Sequence, residues 1–192
     1  MRLFVAVDLD DTARVAIAAE QQRVAAAIGE SRSSVRWAHA DHLHLTLVFL
    51  GEVPDEHAKA ITDAVGRPVD APPFPMTLQG LGVFPPHGSP RAIWIGVTGG
   101  SEALVDLQHT LARRVAAEGV TLETHPFRPH VTVGRWRHSR PSDRRRALAA
   151  ATSLVLARTT VARATLYHSR LSPAGSTYTA LAHATLSGGQ RR

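Results

Sequence analysis

The chain has no cysteine among its 192 residues. That excludes disulfides, a thiolate nucleophile and any zinc site built on sulfur. Lysine is almost missing as well. Lys59 is the single one, so of 22 basic residues the remaining 21 (22 less one) are arginine. No run approaches the roughly 18 consecutive apolar residues of a membrane span. The opening MRLFVAVDLD meets its first acid at Asp8, too early for the apolar stretch of a secretory leader. A cytoplasmic protein without membrane contact is the expectation.

What is present looks globular: 44% hydrophobic and 20% charged residues, enough for one mid-sized core or two small lobes. The net charge is +6. Arginine's planar fork pairs with oxyanions through two donors, so an anionic partner fits this charge. Arginine with abundant Ala and Gly is equally what a GC-rich coding bias produces. Composition leaves both open.

Residues 2–8 alternate as a strand, and Asp10 and Asp11 can cap an Ala-rich helix that ends at Gly29. Residues 35–37 look extended, and HLHLTLVFL (42–50) reads as a second strand. Pro54-Asp55-Glu56 opens a short helix closed by Gly66. The proline-rich 67–75 reads as a connector, followed by strands at 76–81 and 91–97 around the loop GVFPPHGSP. Ser101 is placed to cap a helix with Leu104, Leu107, Leu111 and Val115 on one face, ending at Gly119. A strand at 130–136, an Arg-rich helix near 142–151 and three β-rich stretches to residue 186 complete the pattern. Strands and helices mix without strict alternation, which indicates an α+β fold. Each half carries a strand, a helix and one His-x-Thr strand, suggesting two pseudo-symmetric lobes, each an antiparallel sheet with flanking helices, around a central cleft. The expected organisation is one bilobal domain over 1–187 with a flexible tail at 188–192.

Those two strands carry the chemistry. His44-Leu45-Thr46-Leu47 and His130-Val131-Thr132-Val133 each place an imidazole and a hydroxyl on one face, with apolar residues behind. Facing each other across a cleft, they form a pocket of two His and two Thr. An imidazole titrates near pH 6.5, so one can act as base while the other, charged, acts as acid. The threonine hydroxyls can donate to non-bridging phosphate oxygens. Base and acid on opposite sides suit in-line attack at phosphorus with neither metal nor cofactor.

Five segments, RLFVAVDL, HLTLVFLGEV, RAIWIGV, PFRPHVTVGR and LYHSRLSPAGSTYTALA, occur in order over nearly the whole chain. They resemble the 2H phosphoesterase superfamily, in its LigT-like branch, the bacterial RNA 2′,3′-cyclic phosphodiesterases once called 2′-5′ RNA ligases. The resemblance implies that His44 and His130 are the acid–base pair and that Thr46 and Thr132 hold the phosphate. Arg135 matches a family arginine expected near the phosphate or ribose. Simple alternation turns it away from His130, so that role requires a bulge or a strand end, and a surface arginine is the competing reading. Phe49 matches an aromatic position that stacks on a base, but its parity opposes His44, and core packing competes. His42 shares a face with His44, which could suggest a metal pair, but no third ligand of sensible spacing accompanies them. It stands where the branch more often has Asn, and a cleft-edge histidine able to contact a nucleotide fits it better than a metal ligand.

His39, His125 and His168 lie near the motif segments, where substrate contact competes with a surface or loop reading that fits them better. Arg144-Arg145-Arg146 could touch an RNA backbone but reads first as a solvated helix face, and Trp37, Trp94 and Trp136 read as core or cleft wall. The implied reaction is hydrolysis of a terminal 2′,3′-cyclic phosphate on RNA or a nucleotide to a 2′-phosphomonoester. Minor reversible 2′-5′ ligation is possible at the same site. His130 is assigned as base and His44 as acid, although the motif's symmetry permits the reverse. Two alternatives stand beside this reading: a cyclic phosphodiesterase for ADP-ribose 1″,2″-cyclic phosphate or 2′-5′ oligonucleotides, and an RNA-end-binding module without turnover. A monomer acting on RNA ends is the expected state.

Overall fold

The computed structural model describes all residues except 30–33, 124, 173–174 and 189–192. Strand β1 (Arg2–Asp8) leads into helix α1 (Asp11–Ile28), whose first turn is capped by the Asp10 carboxylate accepting from the Ala13 amide at 2.8 Å. Gly29, at φ +74°, ends it. Then come β2 (Ser34–Trp37), a 3₁₀ turn (Ala40–His42), β3 (His44–Glu52) and α2 (Asp55–Gly66). β4 (Phe74–Phe84) and β5 (Ala92–Gly99) precede α3 (Ser101–Ala117), β6 (His130–His138) and α4 (Pro141–Ala149). β7 (Val155–Val161), β8 (Arg163–Ser172) and β9 (Gly175–Thr185) end the fold.

The strands form two antiparallel sheets, ordered β3-β1-β8-β9 and β2-β6-β5-β4-β7. The fold is therefore α+β, with one His-x-Thr strand in each sheet. The lobes are not the two halves of the chain. β2 leaves the first sheet to pair with β6, while β8 and β9 return from the C-terminal half to pair with β1. The helices interleave in the same way, α2 and α3 packing on the first sheet and α1 and α4 on the second. Leu45, Leu47, Val131 and Val133 are buried behind the two motif strands, as alternation requires. Burying these apolar faces anchors both strands and leaves His44 and His130 on the opposite face.

Several local expectations are corrected. β3 starts at His44, because 40–42 close a 3₁₀ turn in which the His42 amide donates to the His39 carbonyl at 2.9 Å. His42 therefore does not share a strand face with His44. Ser101 is the first helical residue of α3, not its cap. The cap is Gly100 at φ +82°, and the Ser101 hydroxyl donates back to the Val97 carbonyl at 3.0 Å. β4 takes in Phe74 and Pro75, which the proline-rich pattern assigns to the connector. Pro75 faces Thr160 of β7, while pairing with β5 begins only at Thr77, so its missing N–H costs no ladder bond there. At its other end β4 runs on to Phe84, because Gly82 lets the Trp94 ring lie across it. A Cβ there would sit 2.0 Å from that ring. Of the expected tail, Gly188 donates its amide to the Ala71 carbonyl at 2.8 Å, and 189–192 lie outside the described residues. Among the described residues, no helix is long and apolar enough to cross a membrane.

Candidate active site

β3 and β6 bring both His-x-Thr motifs to one cleft of about 670 Å³, lined by His44, Thr46, His130 and Thr132 together with Phe49, Arg135 and His42. The two imidazoles are held alike. His44 Nδ1 lies 2.7 Å from the carbonyl two residues earlier, that of His42, and His130 Nδ1 lies 2.6 Å from that of Arg128. A carbonyl only accepts, so Nδ1 carries the proton in each ring and Nε2 is the nitrogen left for chemistry. No hydrogen bond within the described residues occupies the Thr46 or Thr132 hydroxyls, so both are open to a ligand.

Two bulges decide what else faces the cleft. Along β6, Ile93 pairs with Gly134 but Trp94 pairs with Thr132, leaving Val133 as an extra residue. Along β3, Val5 pairs with Val48 but Ala6 pairs with Thr46, leaving Leu47 extra. Each bulge inverts the alternation beyond it. Arg135 and Phe49, on the wrong parity in a regular strand, thus line the cleft with their histidines. The two strands become parallel constructions, His-x-Thr followed by an aromatic in one lobe and by a guanidinium in the other. Phe49 is 44% exposed, which removes the core reading, and the Arg2 guanidinium lies 5.1 Å over its ring.

Aromatic neighbours make both imidazoles hard to charge. Phe4 lies 4.9 Å and Tyr178 5.5 Å from the His44 ring, and Phe84 lies 5.2 Å from that of His130. Burial is the main cause that lowers both pKa values from the ordinary 6.5, and Arg135 pushes both the same way. The hydrogen bonds to the His42 and Arg128 carbonyls oppose that fall. The two sites then diverge. The carboxylate of Asp8 favours charge on His44, and among the described residues no carboxylate does so for His130. Asp8 pairs across the sheet with His44 and accepts from the Tyr167 hydroxyl at 2.6 Å and the Thr165 hydroxyl at 2.8 Å. Burial and Asp8 together push the Tyr167 phenol up to about 12.

The expectations missed several contributors. Phe4, Arg2, Arg36 and Tyr178 line the cleft, and of these only the Arg2-x-Phe4 alternation in β1 was a readable signal. Gln21 on α1 is buried and donates through Nε2 to the Ala38 carbonyl at 2.9 Å and to that of the bulged Val133 at 2.8 Å. His39 lies at the cleft edge with its ring 5.9 Å from His42, while His125 and His168 do not line the cleft. Arg144, Arg145 and Arg146 also stay outside it. Arg144 donates to the Pro85 carbonyl and Arg146 lies 3.9 Å from Asp143. Trp37 forms cleft wall and Trp136 is buried. Among the described residues, no group of three His, Asp or Glu could hold a metal ion.

A sequence model of the 2′-5′ RNA ligase superfamily matches residues 10–172, a span that contains both motif strands and their bulges. The chain belongs to the 2′-5′ RNA ligase superfamily. Within it, a protein of Archaeoglobus fulgidus named RNA 2′,3′-cyclic phosphodiesterase is 36% identical over 141 residues, 73% of this chain and 76% of that one. A protein of the same name from Thermotoga maritima is 28% identical and extends the match to 98% of this chain and 97% of its own. The crystal structure of Escherichia coli LigT complexed with 3′-AMP superposes with a TM-score of 0.75 at 30% identity, covering 96% of this chain and 97% of that one.

Proposed function

We propose that this chain hydrolyses 2′,3′-cyclic phosphates at RNA or nucleotide ends to 2′-phosphomonoesters. Cyclic phosphodiesterase activity is supported by relatives of that name, which match 73% and 98% of the chain. The observation that carries the mechanism is the matched pair of imidazoles in one cleft, each with Nδ1 bonded to a carbonyl and Nε2 left over. Binding alone does not need two titratable rings held this way, which speaks against a module without turnover.

In the proposed reaction, His130 Nε2 takes a proton from water as the water oxygen attacks phosphorus. The bond from phosphorus to O3′ breaks, and His44 Nε2 delivers a proton to O3′. The water is consumed, the phosphate stays on O2′, and the two histidines exchange protonation states. Asp8 supports this division, since it favours a charged His44, whereas Arg135 is the charged group acting on His130 among the described residues. A bound phosphate monoanion favours charge on both rings and so offsets their burial. Thr46, Thr132 and Arg135 are the phosphate's hydrogen-bond donors, and Phe49 a platform for the base. If a ribose 5′-hydroxyl replaces water, the same pair forms a 2′-5′ linkage, and the reverse reaction cleaves one. Water's abundance makes hydrolysis dominant.

The test is incubation with an RNA ending in a 2′,3′-cyclic phosphate in excess EDTA, resolving 2′- from 3′-phosphate. A 2′-phosphate at undiminished rate is expected. A 3′-phosphate would reverse the leaving group, a loss of rate in EDTA would overturn metal independence, and unchanged substrate would overturn the reading.

A further inference from the structure

Among the described residues, the guanidiniums of Arg2, Arg36 and Arg135 line the cleft, and no Asp or Glu does. A terminal cyclic phosphate carries one negative charge. Arg135 answers that charge, and Arg2 is stacked on Phe49. Arg36 remains.

Its placement is unusual. Arg36 of β2 and Arg135 of β6 are direct cross-strand partners, and both line the cleft. Like charges directly opposite each other destabilise a sheet. Neither guanidinium has an ion pair among the described residues. Such a pair is relieved by anions, and one cyclic phosphate supplies only a single charge. The Arg36 guanidinium reaches toward β9, since a Cβ on Gly175 would stand 3.2 Å from its Nη2. β9 also carries Tyr178, whose ring lies 4.9 Å from that of His42. A cation and a pair of rings therefore line the same cleft beside the reacting centre.

We propose that Arg36, with the ring pair His42 and Tyr178, forms a subsite for the penultimate nucleotide of an RNA end. The guanidinium holds the phosphodiester that precedes the terminal nucleoside, and the rings hold the neighbouring base or ribose. This rests on the cyclic phosphodiesterase reading and adds to it a preference for an RNA chain over a mononucleotide.

The experiment compares kcat/KM for a nucleoside 2′,3′-cyclic phosphate and for a dinucleotide ending in the same cyclic nucleotide. The wild-type protein is expected to favour the dinucleotide by about ten-fold, the worth of one charge-assisted contact. Added salt should shrink that advantage. In Arg36→Gln the loss on the dinucleotide should exceed the loss on the mononucleotide by about the same factor. His42→Ala should narrow the gap in the same direction while keeping the His42 carbonyl that holds His44. Equal kcat/KM on both lengths in the wild type would overturn the subsite and leave the cyclic phosphodiesterase reading standing. Equal losses on both lengths in Arg36→Gln would do the same, placing Arg36 on the terminal phosphate or in the fold. No turnover of either compound would overturn the reading itself.

Discussion

Replacing Gln21 with methionine tests how the cleft is held, because one buried amide group ties helix α1 to two points beside it. Its Nε2 donates to the Ala38 carbonyl at 2.9 Å and to the Val133 carbonyl at 2.8 Å. Val133 keeps a second donor, the Ala38 amide at 3.0 Å, but the Ala38 carbonyl has no other partner among the described residues. Methionine keeps the length and removes both bonds. Two hydrogen bonds at about 1 kcal/mol each, plus a stranded carbonyl, give a loss of about 2–4 kcal/mol. For a protein of this size that is roughly a 5–12 °C fall in Tm. The functional consequence follows from position, since Val133 is the extra residue that turns Arg135 into the cleft. A looser bulge should raise KM for the cyclic phosphate more than it lowers kcat. Thermal unfolding followed by circular dichroism, with kinetics measured well below the transition, reads both effects. A Gln21→Met protein within about 0.5 kcal/mol of wild type, a surface-like effect, and with unchanged KM would show that this amide holds neither α1 nor the bulge.

Other consequences can be checked separately. Because burial lowers both histidine pKa values, the singly protonated pair should be most abundant below pH 6.5 in the free enzyme, so kcat/KM should fall as pH rises above about 6.5; a flat profile from pH 5 to 8 with chemistry rate-limiting would contradict this. The same lowering means the unfolded chain binds protons first, so histidine-linked stability should decline as pH falls through about 6.5, readable from denaturant midpoints. Asp8→Asn removes the carboxylate that favours charged His44, and the alkaline limb of kcat/KM should move to lower pH. Gly82→Ala puts a Cβ 2.0 Å from the Trp94 ring, beside Phe84 and His130, and should cost about 1–3 kcal/mol of stability by denaturant titration.

The elements were legible where a local pattern decides them. Asp10 and Gly29 bracket α1, and Leu104, Leu107, Leu111 and Val115 form one buried stripe of α3. The two His-x-Thr strands were legible for the same reason, since alternation alone places the histidines opposite Leu45 and Val131. Phe49 and Arg135 were misplaced by that same rule. Their orientation depends on one extra residue in each strand, and a bulge is a relation between two strands that neither encodes alone. Ser101 read as a cap because its residue type favours one, yet the left-handed Gly100 took that position.

What stayed hidden is non-local. Asp8 meets Tyr167 and Thr165 across more than 150 positions, and Gln21 meets Val133 across 112. The exchange of β2 and of β8–β9 between sheets also left no periodic trace. It explains why each lobe draws its strands from both ends of the chain.

In the proposed mechanism His130 and His44 divide base and acid work across one cleft. The most direct measurement is the pH dependence of kcat/KM for His130→Ala and His44→Ala on a cyclic-phosphate RNA end. Each variant should lose about 10²–10⁴-fold. His130→Ala should also lose the acid-side limb of the profile, and His44→Ala the alkaline limb. A near-wild-type rate in either variant would contradict the pairing, and exchanged limbs would reverse the assignment of acid and base.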